Sequence, residues 1–215
     1  NTKAQDLLSH SLLFLCARTT MTTLQNTKAL ADDEKISQVE LDSLDRVFQF
    51  IDTNKDGKLD AKEISEVLAK LGHKTSRPDI EMMIWEVDND LDGLVSKDEF
   101  LVMYQRCISD KTGLEPRNLF HLAQFLMYAF KGSVDTSGDK APDTRISVEQ
   151  TLQILFVRYG RESMNEEITH IFGDESQQKG PDGQERRITY SEFVRHQTQR
   201  LTKLRNAKRE VSKTK

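Results

Sequence analysis

Between Ser37 and Cys107, apolar residues return every three or four positions in four separate stretches. Leu41, Leu44, Phe48 and Ile51 form the first stripe, and Ile64, Val67, Leu68 and Leu71 the second. Ile80, Met83, Ile84 and Val87 form the third, and Phe100, Met103, Tyr104 and Cys107 the fourth. That period puts each set on one side of a helix, so the spacing predicts four amphipathic helices. Ser37-Gln38-Val39-Glu40 marks the first start, because the Ser oxygen accepts from an orphan N–H while Glu40 reaches back. Gly72 supplies a stop after the second helix. Ser76, with Pro78 in the first turn, opens the third. Polar, Asp-rich stretches separate the first helix from the second and the third from the fourth.

The rhythm then repeats with longer gaps. Helical patterns cover Leu119–Phe130, Ile146–Tyr159 with Gly160 as its end, Glu166–Phe172, and Ser191 onward. Residues 108–116, with Gly113 and Pro116, read as a linker. The expectation is an all-α chain of eight helices in four helix–loop–helix units, arranged as two lobes. The boundaries read as an N-terminal docking or extended segment at 1–35, a first lobe at 36–109, a second lobe with enlarged loops at 115–200, and a basic tail at 201–215.

Charge adds a second theme. Of 215 residues, 36% are apolar and 31% charged, which suits amphipathic helices better than one large buried sheet. From Arg195 to Lys215, eight Lys/Arg face only Glu210. That net of +7 leaves −11 on the rest of a chain whose total is −4. The tail reads as a solvated helix extension, with an acidic protein surface as the alternative. Nucleic acid is an improbable partner, since no zinc finger or aromatic-interleaved motif accompanies the basic residues. No run approaches the roughly 18–20 apolar residues of a spanning helix. The short patch Leu12–Ala17 reads as a docking segment rather than a signal peptide.

Cys16 and Cys107 cannot make a disulfide framework, so free thiols in a reducing, cytoplasmic setting are expected. The five histidines have no zinc-like spacing. Neither a nucleophile–base pair nor a phosphate loop stands out, and the chain reads as a non-enzyme. Trp85 reads as a partly buried helix residue, with a partner anchor as the alternative.

The two Asp-rich stretches carry the chemistry. The first runs Asp52-Thr53-Asn54-Lys55-Asp56-Gly57-Lys58-Leu59-Asp60-Ala61-Lys62-Glu63. The second runs Asp88-Asn89-Asp90-Leu91-Asp92-Gly93-Leu94-Val95-Ser96-Lys97-Asp98-Glu99. Calcium takes six to eight hard oxygens at about 2.3–2.6 Å. Short Asp and Asn side chains at positions 1, 3 and 5 offer three of them: Asp52, Asn54 and Asp56, then Asp88, Asp90 and Asp92. Gly at position 6 turns the chain sharply. The position 7 carbonyl, of Lys58 or Leu94, supplies another oxygen. Asp60 or Ser96 at position 9 acts through a water, and Glu63 or Glu99 at position 12 gives two oxygens. Both stretches fit the D-x-[DN]-x-[DN]-G-x5-E pattern of the EF-hand. Two calcium sites are therefore expected, with Mg2+ as the occupant when calcium is low. Leu59 and Val95, at position 8, are expected to meet in a short two-stranded contact between the loops.

The later loops lack this set. Phe130 and Phe172 stand where Ile51 and Val87 do, and Ile146 and Ile188 where Leu59 and Val95 do, but these landmarks lie 16 residues apart instead of 8. Position 12 becomes the neutral Gln150 in the third loop. In the fourth, Glu192 remains while Gly173 replaces the first Asp. Neither is expected to bind calcium, although Asp135, Asp139 and Asp143 offer carboxylates for a weak unorthodox site.

The first lobe resembles calmodulin and troponin C in its connector length and in Ile84-Trp85-Glu86-Val87-Asp88. The second lobe holds only Met127 and Met164, whereas promiscuous helix binding rests on a Met-rich groove. One dedicated protein partner, coiled-coil or helical, is expected instead. Asp110-Lys-Thr-Gly-Leu-Glu-Pro116, Ile154-Leu-Phe-Val-Arg-Tyr-Gly160 and Ile171-Phe-Gly-Asp174 resemble EF-hand proteins of ciliary and flagellar axonemes. Among these, they are similar to the calmodulin-like subunit of the outer dynein arm docking complex. That resemblance implies coiled-coil docking proteins and the doublet microtubule as partners, and the cytoskeleton of a cilium or flagellum as location. Its function would be that of a calcium-responsive adaptor. The alternatives are a constitutively assembled structural subunit and a cytosolic calcium buffer.

Overall fold

The computed structural model describes residues 35–130, 143–174, 178–179 and 183–213. The Leu-rich N-terminal patch, Cys16, Asp135 and Asp139 lie outside the described residues. In the first half, helix α1 (Gln38–Ile51) leads through strand β1 (Lys58–Leu59) into α2 (Ala61–Lys70). Helix α3 (Arg77–Trp85) leads through β2 (Val95–Ser96) into α4 (Lys97–Ser109). In the second half, α5 (Asn118–Ala129) is followed by β3 (Arg145–Ile146), α6 (Val148–Phe172), β4 (Ile188–Thr189) and α7 (Tyr190–Lys213).

Helices α1 and α3 start where their capping chemistry says they should. The Ser37 side chain accepts from the Glu40 N–H while Glu40 accepts from the Ser37 N–H, a complete capping box. Ser76 caps α3, with Pro78 in the first turn, where its missing N–H costs nothing. The stripes from Leu44 to Cys107 are buried as their spacing requires. Gly160 does end a helix, but only as a break inside α6. Its φ of 66° and ψ of −179° lie outside helical geometry, and the left-handed φ suits a residue without a Cβ. Among the described residues, eight helical stretches therefore result, two of them within α6.

Two antiparallel strand pairs tie the loops together. Leu59 faces Val95 in β1–β2, and Ile146 faces Ile188 in β3–β4. All four side chains are fully buried. Burial of that extent stabilises the fold by about 1.5–3 kcal/mol per residue.

The apolar side chains of both halves form one continuous core within the unit Ile36–Lys215. Helix α5 lies at its middle, packed against α1, α3 and α4 on one side and against α6, α7 and β3 on the other. The segment read as a linker is a built turn instead. The Asp110 carboxylate accepts from the Thr112 N–H at 2.7 Å, the Gly113 N–H at 3.0 Å, the Glu115 N–H at 3.1 Å and Arg117 at 3.0 Å. Burial raises the pKa of this acid, but those donors outweigh it and hold the carboxyl well below the usual range. Arg205 of α7 donates to the Gly113 carbonyl at 2.8 Å, so the basic helix folds back onto this turn. Among the described residues, no helix is long and apolar enough to cross a membrane.

Candidate metal centre

The first loop hangs between α1 and α2. Asp52 is the C-cap of α1. Its two oxygens accept from the Asp56 N–H at 3.2 Å and the Gly57 N–H at 3.0 Å, which curls the loop back over the helix end. Lys55 and Gly57 carry positive φ of 61° and 81°. At position 6 only glycine takes such a turn without strain. Asn54 Oδ1 accepts from the Asp56 N–H at 2.8 Å, and Asp56 accepts from the Lys58 N–H at 2.9 Å. The loop closes on Glu63 at the start of α2. Its Oε2 accepts from the Asp60 N–H at 3.0 Å, and its Oε1 from the Thr53 and Asn54 N–H groups at 2.9 and 3.1 Å. Asp60 completes the box by accepting from the Glu63 N–H at 2.7 Å.

The second loop repeats that geometry. Asp88 accepts from the N–H groups of Leu91 and Gly93 at 2.6 and 2.8 Å. Leu91 and Gly93 have φ of 61° and 82°, matching Lys55 and Gly57. Asp90 accepts from the Asp92 N–H at 3.1 Å, and Asp92 from the Leu94 N–H at 2.9 Å. Glu99 Oε2 accepts from the Ser96 N–H and hydroxyl at 2.9 and 2.7 Å, and Oε1 from the Asn89 N–H at 2.7 Å. Burial raises the pKa of Glu99, but the donors from Ser96, Asn89 and Asp90 outweigh it and leave it lowered.

Asp88, Asp90 and Glu99 bring one carboxylate oxygen each within 4.8 Å of one another. Three anionic hard oxygens at that separation enclose a volume fitted to a divalent cation with bonds near 2.4 Å. Soft sulfur ligands are absent from the set, which disfavours zinc and copper. The cofactor of this centre is Ca2+.

Comparison with known proteins agrees with this chemistry. A family model described as an EF-hand domain pair matches residues 41–105. The probable calcium-binding protein CML28 of Arabidopsis thaliana is 44% identical over 57 residues, which are 26% of this chain and 68% of that relative. The chain belongs to the EF-hand calcium-binding family. Calmodulin-like protein 30 of the same plant is 46% identical over 56 residues, 26% of this chain and 30% of the relative. CML25, another probable calcium-binding protein of Arabidopsis thaliana, is 31% identical over 78 residues, 36% of this chain. The chain spans less than half the length of CML25 and of polcalcin Cup a 4 from Hesperocyparis arizonica, at 42% and 46%.

Sequence reading missed the cross-ties around the EF-hand pair. The Lys58 ammonium bonds the carboxylate of Asp92, so a side chain of the first loop occupies a candidate ligand of the second. The contact raises the pKa of Lys58 and lowers that of Asp92. Lys97 ties α4 to Asp45 of α1. Trp85 is not partly buried: it is 66% exposed, because Ile84 and Met83 take the inward positions of α3. Cys107 is the free, buried thiol expected, and burial pushes it up to about 12, which makes it a poor nucleophile at neutral pH. His121 is buried between Phe120 and Phe193. Burial first, and then the charge of Arg117, lower its pKa to about 3, so it stays neutral.

Among the described residues of the second half, the starts of α6 and α7 keep the same closing contact without a full ligand set beside it. Gln150 reaches back to the Ser147 N–H at 2.8 Å, as Glu63 and Glu99 reach back, but through a neutral amide. Glu192 Oε2 accepts from the Thr189 N–H at 2.9 Å, and its Oε1 accepts from Arg186 at 3.0 Å. Asp143 pairs with Arg187 at 2.7 Å.

Proposed function

We propose that the protein is a calcium-responsive adaptor. Its first half binds two Ca2+ ions, and its second half, built from two degenerate EF-hands, holds a dedicated protein partner. One observation carries this reading: among the described residues, the four helices that follow a loop start with the same closing contact, but only Asp52–Glu63 and Asp88–Glu99 match the full EF-hand ligand pattern in sequence. In the fourth loop a guanidinium stands on the glutamate oxygen that faces backbone donors in the first two. A fixed cation there removes the electrostatic reason to bind a mobile one. The calcium-binding names of the relatives support the ion, and Mg2+ fills the loops when calcium is scarce.

The resemblance of Asp110–Pro116, Ile154–Gly160 and Ile171–Asp174 to axonemal EF-hand proteins supports a place in outer dynein arm docking. The partners there would be coiled-coil proteins beside the doublet microtubule, and the location the cytoskeleton of a cilium or flagellum. In this reading the chain binds and positions rather than catalyses. A second reading, a structural subunit whose sites are permanently filled, gains support from the burial of α5 within the core.

Calorimetric titration of the full chain with calcium, with Trp85 emission followed in parallel, tests the proposal. Two equivalents bound and a changed emission are expected. Four equivalents would overturn the reading of the second half. Two equivalents with an unchanged Trp85 signal and unchanged partner binding would favour the structural subunit.

A further inference from the structure

The apolar face of the EF-hand pair is already covered. Leu71, Ile80, Met83, Met103 and Cys107 of the first half are all buried. The covering element is α5, in which ten of twelve residues are buried, so it has almost no solvent face of its own. Phe120 of α5 packs on Tyr104 of α4 with ring centroids 5.2 Å apart. The thiol of Cys107 on α4 donates to the Pro116 carbonyl just before α5.

A buried ion pair fixes the same seam. Glu40 of α1 accepts from Arg158 of α6 at 2.9 Å and from the Tyr104 hydroxyl at 3.3 Å. Glu40 is 1% exposed and Arg158 14%. Helix α1 therefore carries a second-half contact near one end and the first calcium ligand, Asp52, at the other.

We infer that α5 is the standing occupant of the EF-hand pair's apolar groove, and that its docking raises the calcium affinity of the two loops. This rests on the calcium-responsive reading above. Calcium opens sensor EF-hand pairs and exposes an apolar groove. Whatever binds the open form better shifts the equilibrium toward it and raises calcium affinity by the same factor that calcium raises its own binding. A helix on the same chain does this at a high effective concentration, without waiting for a partner to arrive. Calcium binding and the docking of the second half are thus one linked equilibrium. An external helix gains the groove only by displacing α5.

The test is calcium calorimetry on the full chain, comparing wild type with Phe120→Ala and Arg158→Gln. Both substitutions loosen the seam, and neither touches a calcium loop. Two equivalents should remain, with Kd raised about fivefold or more in each variant. Folded variants, judged by circular dichroism, whose Kd is indistinguishable from or tighter than wild type would overturn the inference. Hydrogen exchange on the wild type gives a second measurement that needs no variant. Calcium should increase protection of amides 119–129, which supply no ligand. Protection confined to residues 52–63 and 88–99 would overturn it. A wild type that binds no calcium would instead remove the calcium reading itself.

Discussion

Lys58 serves the EF-hand pair twice: its carbonyl is the position 7 oxygen of one loop, and its ammonium bonds Asp92 of the other. Calcium entering the second loop must displace that ammonium or share Asp92 with it. Replacing Lys58 by Met keeps the carbonyl and removes the competitor, along with one repelling positive charge. Calcium affinity at the second loop should rise about two- to fivefold, the range expected of an exposed charge pair. A titration of K58M that shows equal or weaker binding would refute the competition. The same carboxylates set the pH response. Glu99 and Asp92 have folded pKa values below their ordinary 4.5 and 3.8. A carboxyl depressed on folding contributes stability that is complete above its unfolded value and is lost as pH falls through the folded one. Denaturation midpoints of the calcium-free chain should therefore show no loss from these two groups between neutral pH and about pH 5, and a progressive loss below it. A loss from them that began near pH 7 would be incompatible with depressed values.

At the scale of elements, one helix start recurs through the chain: a Ser, Asp or Thr accepts from the N–H three residues on, and the side chain there reaches back. Ser37–Glu40, Asp60–Glu63, Ser96–Glu99, Ser147–Gln150 and Thr189–Glu192 all do this. Gln150 shows that an amide serves the cap as well as a carboxylate, whereas only a carboxylate offers calcium two anionic oxygens. Glu63→Gln and Glu99→Gln should each abolish one calcium site. The cost to the calcium-free chain should be small, within about 1 kcal/mol by urea denaturation. A larger loss would mean that the charge itself holds the helix start. These starts and loops were legible in the sequence because every participant lies within one twelve-residue stretch, where spacing alone fixes geometry. The Leu59–Val95 and Ile146–Ile188 pairings were legible for a related reason, since position in each loop dictates which residue faces the other. The Lys58–Asp92 tie spans 34 positions and Glu40–Arg158 spans 118, and no local pattern marks such partners. The exposure of Trp85 was hidden by its size and apolarity. Periodicity gave the inward places to Met83 and Ile84, and that signal outranks hydrophobicity.

At the scale of the whole molecule, the decisive feature is that the two halves share a core. Helix α5 has neighbours in both, and the Glu40–Arg158 pair is buried between them. Removing one partner of such a pair costs about 3–5 kcal/mol, because the remaining charge is left without water or counter-ion. That is comparable with the entire stability of many domains, so neither half should unfold far ahead of the other. Calcium binds only the folded loops, and each site adds RT ln(1 + [Ca]/Kd), about 2.7 kcal/mol when free calcium is a hundred times Kd. If the core were divided, that gain would stay in the first half, and the second would melt at its own temperature with or without the ion. Because it is shared, the gain should reach residues far from any ligand. Thermal unfolding of the full chain should show one transition, moved upward by calcium and downward by a chelator. Exchange protection in α7, which holds no ligand, should move by the same amount. Two transitions, of which calcium shifts only one, would show that the halves unfold independently and that the seam through α5 is too weak to link them.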